Sequence, residues 1–174
     1  MKKRGLLIIS VLLFSGHISG CGDSGDKLKD AIDVTFTMVF SHVYTIDTNL
    51  TTSSYDLDLN TNENYQKYHG KIRDIEIDYL RYSITSNTGN GGKADFYANV
   101  YGGSFATATK VAGPINFAAG ELRGVSDVVW LNKDYMEDLL ISGKLSVWAV
   151  AEGTNVRLTV PTELQLKVTA NPLE

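Results

Sequence analysis

The chain has 174 residues, 43% of them hydrophobic, with 16 basic and 20 acidic side chains and a formal net charge of −4. That balance argues against a nucleic-acid partner, which calls for a basic face, and against peripheral binding to anionic lipid. A single cysteine, Cys21, excludes an internal disulfide and a thiolate zinc site elsewhere in the chain.

The first residues read Met1-Lys2-Lys3-Arg4, followed by an apolar run over residues 6–14 in which only Ser10 is polar. Cations, a short apolar stretch and then small residues form the layout of a secretory signal. The run is too short for a bilayer-spanning helix, which needs about 20 apolar residues. The region ends Ile18-Ser19-Gly20-Cys21, which resembles the bacterial lipobox: an aliphatic residue, two small residues and cysteine. The resemblance implies a lipoprotein in which Cys21 receives a diacylglyceryl group, the chain is cut before it, and the new amine is acylated, with palmitate among the expected chains. Two or more acyl chains anchor stably where one does not. Gly22, not Asp, follows the cysteine, which by the same resemblance implies the outer membrane if the organism has two. The expected divisions are a signal peptide over 1–20, a lipidated cysteine and Gly/Ser/Asp tether over 21–30, and a domain over 31–174.

Without residues 1–20, which hold Lys2, Lys3 and Arg4 and no acid, 13 basic side chains face 20 acidic ones, a net of about −7. About 150 residues remain, which fits one domain with a self-sufficient core.

Ile32, Val34, Phe36, Met38, Phe40, Tyr44 and Ile46 alternate with smaller or polar residues, predicting a long strand or two collinear ones. His42 falls on the parity of the dry face. Tyr55, Leu57 and Leu59 alternate with Asp56, Asp58 and Asn60 in a short half-buried strand. Asn62 is placed to cap a helix over 63–70. Ile75, Ile77 and Tyr79 share one parity and Leu80, Tyr82 and Ile84 the other, predicting a β-bulge near Tyr79-Leu80.

Residues 86–92 form a Ser/Asn/Gly turn cluster. A hairpin follows, with one strand over 94–101 and a return over 105–111, broken by Ala112-Gly113-Pro114. Residues 125–131 read as another strand. Asn132 is placed to cap a helix over 133–142 with Gly143 as its stop, and Tyr135/Leu139 and Met136/Leu140 pair at i,i+4 spacing. Residues 144–152 and 155–169 form the last two strands. In the final one, Val156, Leu158, Val160, Leu164, Leu166 and Val168 share the dry face. Pro161 cannot donate to a ladder, so this strand is expected at an edge or interrupted there. The whole predicts a mainly β domain: an antiparallel β-sandwich, or a partly open barrel, of about 7–9 strands with two short helices. The mature part also resembles uncharacterised β-sandwich lipoproteins of bacteria, in Asp58-Leu59 through Tyr65, Tyr68, Ile72, and Lys167-Val168-Thr169-Ala170-Asn171-Pro172-Leu173. That resemblance implies fold and location, and no activity.

For chemistry, Asp56, Asp58, Asn60 and Asn62 at alternate positions invite comparison with a calcium loop. An EF-hand starting at Asp56 would need Gly at position 61 and Glu at 67, which are Thr61 and Lys67. A strand with its acids in water accounts for the pattern, with a looser calcium site near Asp56 and Asp58 as the alternative. His42 and His69 have no second histidine at ligand spacing, and a structural role is expected for both. No nucleophile elbow, Gly-rich phosphate loop or HExxH occurs. No cofactor, metal or catalytic residue is therefore expected. The candidate ligand surface is aromatic: Tyr97 and Tyr101 on one face of a strand, with Trp148. The leading expectation is a non-catalytic lipoprotein of the cell envelope, tethered to the membrane through Cys21, that binds or scaffolds an envelope protein or glycan. The alternatives are a carbohydrate-binding accessory protein, which needs exposed rings, and an envelope hydrolase, which needs convergent carboxylates in a cleft.

Overall fold

A computed structural model describes residues 33–48 and 53–173. The signal segment, Cys21 and the tether lie outside the described residues, as do residues 49–52.

The strands are β1 (Val34–Asp47), β2 (Ser53–Asp58), β3 (Ile72–Ile84), β4 (Ser86–Asn87), β5 (Gly92–Val100), β6 (Thr109–Phe117), β7 (Arg123–Asp127), β8 (Lys144–Glu152) and β9 (Arg157–Ala170). Two helices interrupt them, α1 (Glu63–Tyr68) and α2 (Lys133–Ile141). One sheet has the order β1-β9-β3-β7, with β4 also on β9. The other has the order β2-β8-β5-β6. Every pairing between these strands is antiparallel. The expected antiparallel β-sandwich is what the chain forms, and it is not closed into a barrel.

The core lies where the two inner faces meet. Met38, Tyr44 and Ile46 of β1, Leu158 to Val168 on the even positions of β9, and Ile75, Ile77, Leu80, Tyr82 and Ile84 of β3 face Leu57, Phe96, Ala98, Leu145 and Val147 of the second sheet. Period-two alternation puts one dry row on each strand. The parity switch in β3 is a bulge at Asp78, where the register against β9 shifts between Ile77 and Tyr79. Met136, Leu139 and Leu140 bury one stripe of α2 against the sandwich.

Four local expectations are corrected. β9 is a central strand, hydrogen-bonded to β1 on one side and to β3 and β4 on the other, so Pro161 does not mark an edge. Thr159 accepts from Thr85 N–H at 3.1 Å on the β3/β4 side, and two residues on, the N of Pro161 points the same way. It meets the gap between Tyr82, opposite Thr162, and Ser86, opposite Thr159, so the missing donor falls where the ladder is already interrupted. Ala112-Gly113-Pro114 does not end a strand: β6 runs through it, with register shifts against β5. Residues 105–107 are a 3-10 turn, and the strand starts at Thr109. The turn cluster at 86–92 includes β4 and stays on the β9 side, with Thr88 N–H donating to Arg157 O at 3.1 Å.

The helix caps divide. Asn62 Oδ1 accepts from Asn64 and Tyr65 N–H at 3.0 and 3.2 Å, as its position requires. Asn132 precedes α2 but makes no side-chain cap. Its Nδ2 donates to Lys110 O at 2.8 Å instead, tying the helix start to β6.

Candidate functional site

The outer face of the second sheet carries the residues singled out for ligand contact. Tyr97 of β5 stands opposite Trp148 of β8 and opposite Lys110 of β6. Ser54 of β2 flanks Trp148 on its other side. This row does not form an open aromatic platform. The loop after β5 folds back over it, and Phe105 packs edge-on against Tyr97 at 5.2 Å and tilted against Trp148 at 6.1 Å. Trp148 is left 8% exposed, while Phe105 is 38% and Tyr101 56% exposed.

The next row across the sheet explains why the loop lies down. Asn99 Nδ2 donates to Ser104 O at 3.0 Å and to Thr107 Oγ1 at 2.9 Å. Ser146 Oγ donates to Asp56 Oδ1 at 2.6 Å and accepts from Gly102 N–H at 3.2 Å. A side chain at Gly103 would sit 2.7 Å from the Asn99 amide, so the absence of a Cβ lets the loop seat. The accessible aromatic surface is thus Tyr101 and Phe105, with Lys144 Nζ 5.5 Å from the Tyr101 ring. Phe105 had no signal in the sequence, because nothing local says that a loop ring will cover a strand ring.

On the other side of the Tyr97 row lies Asp95, 2% exposed. Lys110 Nζ reaches its Oδ2 at 2.7 Å and lies 5.6 Å over Tyr97. This pairing to Asp95 holds the Lys110 ammonium above its ordinary pKa. Asp95 Oδ1 is buried with no hydrogen-bond partner. It faces Gly113, where φ is +117° and a Cβ would fall 2.5 Å from the carboxylate oxygen.

The acidic run is occupied by its own chain. Asp58 Oδ1 accepts from Asn60 N and Nδ2, both at 2.9 Å, and its Oδ2 meets Lys144 Nζ at 2.7 Å. These partners hold the Asp58 carboxyl below its usual range, Lys144 foremost. Asn60 spans a 3-10 turn and Asn62 caps α1. Among the described residues, no three His, Cys, Asp or Glu side chains group so as to hold a metal ion.

His42 faces the interior near the β1 and β2 edges, stacked on Tyr55 at 4.0 Å and edge-on to Tyr44 at 4.6 Å. Burial lowers its pKa and raises that of Tyr44. These three rings border a cavity of about 30 Å³ with Phe96, Met136 and Leu164, room for about a water molecule. His69 ends α1 on the surface, 5.9 Å from Tyr65.

Neither a protein-family model nor a curated protein matches the chain. Among solved structures it is similar to a chain of Desmodium yellow mottle tymovirus, at 12% identity and TM-score 0.31, over 100% of this chain and 98% of that one. It is also similar to a chain of infectious bursal disease virus, Gx strain, at 16% identity and TM-score 0.30, over 81% of this chain and 34% of that one. At these scores neither likeness carries an argument about ancestry or activity.

Proposed function

We propose that the chain is a lipoprotein of the cell envelope, tethered to the membrane through lipid on Cys21, with a binding or scaffolding role and no catalytic one. The observation that carries this reading is the series of three cations, an apolar run over 6–14, and Ile18-Ser19-Gly20-Cys21. Gly22 at the following position favours the outer membrane where there are two. The partner is an envelope protein or glycan, and Tyr101 and Phe105 are the rings it would touch, since Trp148 lies beneath Phe105. The covered Trp148 and the half-covered Tyr97 weaken the reading as a carbohydrate-binding accessory protein, which needs stacked rings in the open. Asp56, Asp58 and Asp95 are each engaged by a neighbouring side chain, which weakens the reading as a hydrolase.

Mass spectrometry of the mature N-terminus tests the anchor: lipid is expected on Cys21, and a free thiol there overturns the reading. In fractionation, the wild type is expected with membranes and the Cys21→Ala chain in the soluble fraction. Co-purification beside Tyr101→Ala and Phe105→Ala variants tests the surface, and unchanged capture of every envelope partner removes it.

A further inference from the structure

The edges of the two sheets are not alike. β7 is five residues long and runs from Arg123 to Asp127. β6 contains Gly113 and Pro114 and is lined by the following segment, through an Ala112–Trp130 bridge and a 2.9 Å bond from Leu131 N–H to Val111 O. β2 has six residues, among them Asp56 and Asp58. Short length, charge, proline, a bulge or a covering segment are the devices that keep a sheet edge from pairing with another chain. Among the described residues, β1 has none of them before its last residue, Asp47. It pairs with β9 over fourteen positions without a register shift. Residues 34–46 contain no Asp, Glu, Lys, Arg, Gly or Pro.

The backbone of that edge alternates in a regular way. Thr48 N–H donates to Val156 O at 3.1 Å, and His42 O accepts from Thr162 Oγ1. Even-numbered residues of β1 thus turn their peptide groups to β9, and odd-numbered ones turn theirs outward. The outward set is Thr35, Thr37, Val39, Ser41, Val43 and Thr45. Among the described residues, β1 has no second strand partner. The same six side chains lie on the exposed outer face, where Val39 and Val43 are 50% and 54% exposed, and five of the six are β-branched, the residue type that packs best beside another strand.

We infer that β1 is a dimerisation edge, on which a second copy of this chain lays its own β1 antiparallel about a two-fold axis at Phe40, joining two sheets into one. With that axis, Thr35 faces Thr45 of the second copy, Thr37 faces Val43 and Val39 faces Ser41, each pair exchanging backbone hydrogen bonds. On the inner side, Phe36 faces Tyr44 and Val34 faces Ile46. From Val34 to Ile46 the strand carries no Asp, Glu, Lys or Arg, so nothing in that stretch selects a charged stranger or repels its own copy. The flanking Asp33 and Asp47, which the axis brings together, are each paired within their own subunit, with Arg73 at 3.7 Å and Arg157 at 3.1 Å. The inference rests on β1 alone and stands whether or not Cys21 is lipidated.

The test is sedimentation velocity of the full chain over a concentration series, with amide hydrogen exchange resolved to residues. A dimer is expected, with slow exchange at the six outward amides that speeds up on dilution. Val39→Lys with Val43→Lys places lysines diagonally across the axis on positions already exposed, and is expected to weaken the dimer about tenfold or more. Thr37→Pro removes one outward N–H without touching the β9 ladder and is expected to act in the same direction. A monomer whose outward amides exchange fast overturns the inference. So does a monomer in which they are protected, since a segment of the same chain then covers the edge. A dimer that both variants leave intact places the interface elsewhere and overturns it as well.

Discussion

Glu137, on α2, accepts a 2.7 Å hydrogen bond from the backbone N–H of Ile77, on β3. β7 pairs only with positions 81–84 of β3, so the peptide of Ile77, turned away from β9, would otherwise be an uncovered sheet edge. A helix side chain supplies the acceptor that a strand does not reach. Lys133 Nζ lies 3.3 Å from the same carboxylate oxygen and holds it in place. Glu137→Ala should therefore cost about 1–3 kcal/mol, the penalty of an unpaired, partly buried donor. Glu137→Gln, which keeps an acceptor, should cost less. Urea unfolding of the two variants checks the order, and equal losses would show that the bond contributes little.

Asp95 and Lys110 should be inseparable. Lys110→Ala leaves a buried carboxylate without its cation, at a cost of about 3 kcal/mol, the low end for a buried pair because the ammonium is partly in water. Gly113→Ala should cost a further and separate amount of about 1–3 kcal/mol for its positive φ alone, and more for the contact with Asp95 Oδ1. Denaturant midpoints measure both. A Gly113→Ala loss no larger than the positive-φ cost would show that Asp95 moves aside freely, and no loss at all would overturn both contributions.

Phe105 acts as a lid on Trp148. Phe105→Ala is expected to destabilise by about 1 kcal/mol, well below the range for a fully buried phenylalanine, since much of the ring is exposed. Its clearer effect should be optical. In a Trp130→Phe background, Trp148 fluorescence should shift to the red and become open to acrylamide. Unchanged quenching would mean that the loop covers Trp148 without this ring.

His42 gives a pH dependence of known sign. Its folded pKa is lowered from 6.5 by burial, so below pH 6.5 the unfolded chain takes up a proton that the folded chain resists. Stability is complete above that pH and falls as the pH drops through the folded value. His42→Phe should flatten this part of the stability curve, and the difference between the two proteins isolates it from the carboxylates. Parallel curves would show that the ring titrates as freely as in water.

Much of this was legible in the residues because it is set locally. The alternation of Leu158, Val160, Leu164, Leu166 and Val168 assigns the dry face of β9, and the parity switch between Ile77 and Leu80 announces the bulge. Asn62 caps α1 because an N-cap needs only its own next residues. Asn132 fails as a cap because a distant carbonyl, that of Lys110, competes for its amide. Pro161 misled for a similar reason: whether a missing N–H matters depends on what lies opposite, and the gap between β3 and β4 is not written near position 161.

The sequence by itself determined the alternating strands, the two helices, the acidic balance and the lone Cys21 behind its apolar run. These follow from period, cap chemistry and composition, which act within a few residues. The tertiary structure alone decided that Trp148 lies under Phe105, that Asp95 is buried against Lys110, and that β1 is, among the described residues, the edge strand beside β9. Each of these depends on which strands become neighbours and on what covers a face, and both are settled by burial and pairing between segments tens of residues apart.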